Sequence, residues 1–214
     1  MECHVTGTEK IAQILLGNLP KSLLVDIQER FAAAIERSWQ VGGSTYVGHR
    51  STVVGNLRHY FLNEALMHSL EESGSLHGGL RGNKVVVGSV GITAVARVHQ
   101  GQAPWNNSKR SASKRKLCER NEPVTALMQP DFLQPVPVDV TELTVFLVTE
   151  GDGSSERPAQ VSLVVPDHNM DLRNPLFVES LTSFIHRYEQ ANVVVDKAQP
   201  KLKTGIKSQN ADTP

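Results

Sequence analysis

The chain has 214 residues, with 22 basic and 22 acidic side chains, 39% hydrophobic content and 5% aromatic content. That balance excludes a generic polycation that would coat nucleic acid over its whole surface, and the length is ample for an aliphatic core without disulfide staples. Two cysteines, Cys3 and Cys118, with no Cys-x-x-Cys pair and no Cys/His cluster at zinc spacing, argue against a disulfide scaffold and a structural metal.

Met1-Glu2-Cys3-His4 lacks the cationic start and long apolar core of a signal peptide, and Ile11 to Leu16 is too short to span a bilayer. A reduced, cytoplasmic protein is expected. In this first segment, residues 1–19, Ile11, Ile14, Leu15 and Leu16 predict one helical turn before Gly17-Asn18. From Pro20 the pattern sharpens: Leu23, Leu24, Ile27, Phe31, Ala34, Ile35 and Trp39 recur every three or four residues. This spacing predicts an amphipathic helix with Ser22 as N-cap and Gly42-Gly43 as its stop.

Val54, Leu57, Phe61, Leu62, Ala65, Leu66 and Leu70 predict a second helix between Ser51 and Ser73, with His49, Arg50, Arg58, His59 and His68 around its polar side as surface or boundary residues. Gly74 to Gly82 reads as loop. Its Gly78-Gly79-Leu80-Arg81-Gly82-Asn83-Lys84 invites comparison with phosphate-binding loops, but the lysine leads into β-branched residues rather than Ser or Thr opening a helix. No nucleotide cofactor is expected there.

Lys84 to Val98 is dominated by valines punctuated by Gly88 and Gly91, which predicts a hairpin. In its second strand Ile92, Ala94, Ala96 and Val98 share one face, and Thr93, Val95, Arg97 and His99 the other. One face is expected to pack on the core and the other to be mixed.

The only concentration of one charge sign follows. Trp105 to Arg120 holds Lys109, Arg110, Lys114, Arg115, Lys116 and Arg120 against Glu119 alone, so this segment carries +5 and the rest of the chain −5. Asn107 or Ser108 is the expected cap of a helix running to about Asn121, stopped by Glu122-Pro123, with its charges distributed around the axis rather than along one stripe. Such a helix suits contact with a phosphate backbone better than groove reading. Trp105 offers a stacking surface for a base, and Asn106 or Asn107 a hydrogen-bonding side chain. The alternative is that Trp105 anchors the loop and the cations keep a surface helix solvated or meet an acidic protein.

Residues 122–140 hold four prolines and read as connector. Leu143 to Thr149 and Ala159 to Val165, joined by Gly/Asp/Ser-rich residues, predict a second hairpin sharing an antiparallel sheet with the first. Asn174 as N-cap and Pro175 as first residue predict a last helix bearing Leu176, Phe177, Leu181, Phe184, Ile185 and Tyr188. The expected organisation is therefore a lead segment over 1–19, one α+β domain over 20–195, and a disordered basic tail over 196–214.

Catalytic chemistry is weakly signalled. The carboxylates a metal-dependent nuclease would use, Glu64, Glu150, Asp152 and Asp167, are dispersed, with Asp152 and Asp167 at opposite ends of the second hairpin. Cys118 has basic neighbours but no nearby histidine in sequence, and reads as a buried thiol. No metal, cofactor or catalytic residue is assigned. The leading expectation is a non-enzymatic bacterial-type protein that binds nucleic acid through residues 105–120, as a regulator or in a defence or toxin–antitoxin system. A protein-interaction module is second and a nuclease third.

Overall fold

A computed structural model describes residues 7–100, 109–128, 139–151, 159–171 and 174–191. The apolar period starting at Leu23 produces helix α2 (Lys21–Gly42), and the next period produces α3 (Val47–Glu72). α2 buries Leu23, Leu24, Ile27, Phe31 and Ile35. α3 returns alongside it, burying Leu62, Leu66 and Leu70 in the same core. Arg30 ties the pair at the surface, bonding Asp26 one turn away and Glu72 at the end of α3. Pro20, with φ −65°, holds the N-cap position of α2 without a side-chain bond. Ser22 therefore lies inside the first turn and is not the cap; proline's fixed φ pre-sets the turn. The helix before it, α1 (Gly7–Asn18), runs for 12 residues rather than one turn, and its Ile11, Ala12 and Leu15 enter the same core.

Six strands follow in spatial order β1 (Leu76–His77), β2 (Val87–Val90), β3 (Thr93–Gln100), β4 (Leu143–Glu150), β5 (Gln160–Val165) and β6 (Phe177–Ser180). Both expected hairpins form, β2 with β3 and β4 with β5. They meet differently from the expectation, because β3 and β4 pair in parallel over their full length. A parallel pair needs a crossover, and the segment between these strands is a crossover carrying helix rather than a simple insertion. It contains α4 (Ala112–Cys118), a 3-10 turn (Glu119–Asn121) and α5 (Glu122–Met128). Glu122-Pro123 does not stop the helical path: proline fits the first turn of α5, where its missing N–H has no intrahelical role. Residues 122–128 are thus helical rather than connector.

Each face of the sheet has its own core. Val95, Val145, Leu147, Leu163 and Val165 face α1, α2, α3 and the C-terminal helix α6 (Leu181–Ala191), whereas Ala96, Val98, Phe146, Val148 and Val164 face Cys118, Leu117 and Met170. The valine face of β3, which also bears Arg97 and His99, is consequently the one beneath the large helices. β1 falls inside the expected loop, and β6 occupies residues expected to open the last helix. α6 instead begins at Leu181, with Ser180 Oγ accepting from the Ser183 amide, so neither Asn174 nor Pro175 caps it.

Both glycines of the β2–β3 hairpin are required by this packing. Gly91 makes the tight β2–β3 turn at φ +56°, and a Cβ there would approach Asn18 Oδ1 at 2.6 Å. At Gly88 a Cβ would meet Leu70 Cδ2 at 2.4 Å, because α3 presses directly on β2. Gly88→Ala should therefore cost about 1–3 kcal/mol through overpacking; denaturant unfolding checks this.

Candidate nucleic-acid interface

The crossover places α4 against the outer sheet face by side-chain hydrogen bonds to strand backbone. Ser111 caps α4, its Oγ accepting from the Lys114 amide at 3.4 Å; the expected caps, Asn107 or Ser108, lie outside the described residues. At the other end Thr144 Oγ1 donates to Leu117 O at 2.6 Å. Asn121, fully buried, donates Nδ2 to Thr144 O (3.1 Å) and Pro166 O (2.8 Å), and its Oδ1 accepts from the Thr144 amide at 2.6 Å. These bonds fix the helix to β4 and to the end of β5.

Seating the helix sorts its charges, which do not encircle it. Lys114, Leu117 and Cys118 turn toward the protein, whereas Lys109, Arg110, Arg115 and Lys116 are exposed. None of these four has a carboxylate partner among the described residues; Arg115 reaches only the Lys109 carbonyl, at 3.5 Å. Arg120 is different, with Nε 3.6 Å from Glu142. Trp105, Asn106 and Asn107 lie outside the described residues. Of the cations picked from sequence, four thus share an open surface, one is ion-paired and one is turned inward.

On the opposite sheet face, beneath α3, lies a polar cluster that the charge pattern had not singled out. Arg97, only 2% exposed, extends from β3 beneath α3. Its Nε donates to Asn63 Oδ1 at 2.8 Å, and its Nη2 donates to the His59 carbonyl and to His59 Nδ1, the latter at 3.1 Å. Two residues along the same strand, His99 Nε2 accepts from Arg58 Nη1 at 2.8 Å. The ring proton of His99 then lies on Nδ1 and donates to Thr149 Oγ1 at 3.0 Å, whose hydroxyl donates to Val98 O at 3.4 Å. Arg58, expected on the polar surface of its helix, is buried at 7% exposure. The sequence signal that could have exposed this cluster was the mixed face of β3: Arg97 and His99 lie on the same side as Val95.

Electrostatics keep both histidines neutral. Burial, reinforced by Arg58 and Arg97, pushes His99 down to about 4, and burial with Arg97 and Lys114 nearby lowers His59. Arg97 is lowered by burial to about 10, and Lys114 by burial and then by Arg97. For His99 the consequence has a definite sign. The unfolded imidazole titrates near its ordinary 6.5, so stability is full above that pH and is lost as pH falls toward 4. The gap sets a ceiling of roughly 3 kcal/mol, which partial solvent contact reduces to about 1–2 kcal/mol. Urea unfolding at pH 7 and 5 should show this loss, and His99→Gln should remove that part of the slope.

The enzymatic alternatives gain no shared site here. Cys118 is buried, and burial plus the charge of Asp167 pushes its thiol up to about 12, the reverse of an activated nucleophile. Asp167 Oδ1 is engaged by the Asp171 amide, and Asp152 lies outside the described residues. Among the described residues no group of three His, Cys, Asp or Glu side chains is placed to hold a metal ion, and no helix is long and apolar enough to cross a membrane. No protein-family profile, curated protein or solved structure matches the chain.

Proposed function

We propose that the chain is a cytoplasmic protein that binds nucleic acid by contacting its phosphate backbone through the α4 surface. The observation that carries this reading is the exposure of Lys109, Arg110, Arg115 and Lys116 within eight residues, none of them neutralised by a carboxylate among the described residues. Seven helical residues held to the sheet at one end offer a fixed platform for Arg115 and Lys116, and Lys109 and Arg110 lie just before the Ser111 cap. Fixed cations facing solvent attract a polyanion without selecting its bases, because phosphate contacts position a complex and carry no sequence information.

Replacing Arg115 and Lys116 together by alanine leaves the buried contacts of α4 untouched. Loss of two phosphate contacts should weaken binding of a labelled duplex by roughly 10-fold or more at about 50–100 mM salt, similarly for unrelated sequences. Fluorescence anisotropy measures this, and an unchanged affinity would remove α4 from the interface. Arg120→Ala should have a smaller effect, since Glu142 already offsets that charge.

A further inference from the structure

We propose that the tip of the α2–α3 hairpin stacks on unpaired bases of the nucleic acid whose phosphates meet α4. The inference rests on the nucleic-acid reading of α4 and adds a second contact of different chemistry. At the tip Tyr46 is 82% exposed, Val47 74% and Val41 50%. These three apolar side chains flank one turn.

That turn is held by its own backbone. The Gly43 amide donates to Trp39 O at 2.7 Å, the Thr45 amide to Gly42 O at 3.1 Å, and the His49 and Arg50 amides to Tyr46 O at 2.9 and 3.1 Å. Val54 packs on Gly42 so closely that a Cβ there would come within 2.5 Å of Val54 Cγ2. Tyr46 holds the N-cap position of α3 without a side-chain bond. Its ring therefore serves neither the cap nor the core, and it stands in solvent on a fixed backbone.

The topology carries this tip beyond the sheet. α3 runs against β3: Leu70 lies over Gly88, which pairs with Val95, whereas Asn63 meets Arg97 and Arg58 meets His99. The helical residues from Val47 to Leu57 thus continue past the end of β3, for roughly 16 Å at about 1.5 Å per residue. On the other face α4 also runs against β3, since Leu117 O and Asn121 bond Thr144, the partner of Ala94 near the start of that strand. Lys109 and Arg110, which precede α4, consequently lie toward the same end of the sheet as the tip. A polymer held there by its phosphates passes within reach of both.

Charge and shape select the partner. No residue between Glu36 and Glu64 is acidic, and beside Tyr46 stand the exposed His49 and Arg50, whose Nη2 reaches the Thr45 carbonyl at 3.5 Å and no carboxylate among the described residues. A polyanion meets no repelling charge on this turn. An aromatic face stacks on any base that is not already stacked in a duplex, whereas two packed helices are together wider than the roughly 12 Å major groove, which takes one.

A strand of about 12 nucleotides, alone and annealed to its complement, is the probe. In fluorescence anisotropy at about 50 mM salt, Tyr46→Ser should weaken binding of the single strand by roughly 5- to 100-fold and leave the duplex within about twofold. The salt slope should stay that of wild type, because a ring is removed and no charge. Serine is also a favoured N-cap, so the variant should unfold no earlier than wild type, and Tyr46→Trp should bind the strand at least as well as wild type. Equal losses for strand and duplex, or no loss for either while Arg115→Ala, Lys116→Ala weakens both, would overturn the role of the tip and leave that of α4 standing. A strand-specific loss in Tyr46→Ser with none in the α4 variant would keep the tip and remove α4. Tyr46-dependent sedimentation with phosphatidylserine vesicles, with no effect on the strand, would assign the tip to an anionic membrane surface and overturn the proposal. No binding of either probe would overturn both readings.

Discussion

Asn121→Ala is expected to lower the unfolding free energy by about 3–5 kcal/mol, because it strands three buried backbone groups at once. The reason is a gap in the sheet. β4 and β5 pair with Phe146 opposite Val164, and extending that register by two residues puts Thr144 opposite Pro166. Proline has no N–H, so it cannot donate to Thr144 O. Asn121 supplies what is missing: its Nδ2 donates to Thr144 O and Pro166 O, and its Oδ1 takes the Thr144 amide. A primary amide carries both donors and an acceptor, so aspartate is no substitute; Asn121→Asp would keep the acceptor, lose both donors and bury a charge. Chemical denaturation measures the loss, and a cost under about 1 kcal/mol would mean that water can replace the bridge. Because the same side chain anchors the end of the basic crossover, the variant should also loosen the proposed nucleic-acid surface.

Asn63→Leu should be nearly as costly, about 3–4 kcal/mol, since breaking one partner of a buried charge leaves that charge uncompensated. Asn63 is 2% exposed, accepts from Arg97 Nε at 2.8 Å and donates to Lys84 O at 3.0 Å. Its Oδ1 is the acceptor that fixes the guanidinium plane. If that bond carries the penalty, the double variant Asn63→Leu, Arg97→Met should be more stable than the sum of the singles by about 2 kcal/mol. Additive losses in the double-mutant cycle would show instead that Asn63 acts through Lys84 alone.

The uneven legibility of the fold has physical causes. Apolar periods of 3.6 and valine-rich runs reach the correct helices and both hairpins, since burial of one face is a local pattern. Parallel pairing of β3 with β4 leaves no such local mark: it depends on residues 50 apart in sequence meeting edge to edge, and a crossover looks like any other long connection until helices are seen in it. A cap position was misplaced where several polar residues compete over a short span, as with Asn174 against Ser180. The exposed part of the basic surface was visible as a charge run. Its inward part was not, because Lys114 looks like any other lysine until Leu117 and Cys118 turn its side of the helix toward the protein, and Arg97 belongs to a strand otherwise typical of a core. Asn121 stood at a supposed helix end with nothing in its neighbours to reveal a partner 45 residues away at Pro166.

The salt dependence of duplex DNA binding tests the proposed nucleic-acid interface most directly. Four exposed cations, Lys109, Arg110, Arg115 and Lys116, predict a slope of log K against log salt near −3.6, so that raising salt from about 50 to 200 mM weakens binding roughly 150-fold. That is shallower than the slope near −4.5, roughly 500-fold, that counting the net +5 of the whole segment would give. A slope near −3.6 that falls toward −1.8 in Arg115→Ala, Lys116→Ala would support backbone contact through the open side of α4. Absence of binding at about 50 mM salt, or a slope near zero, would contradict it.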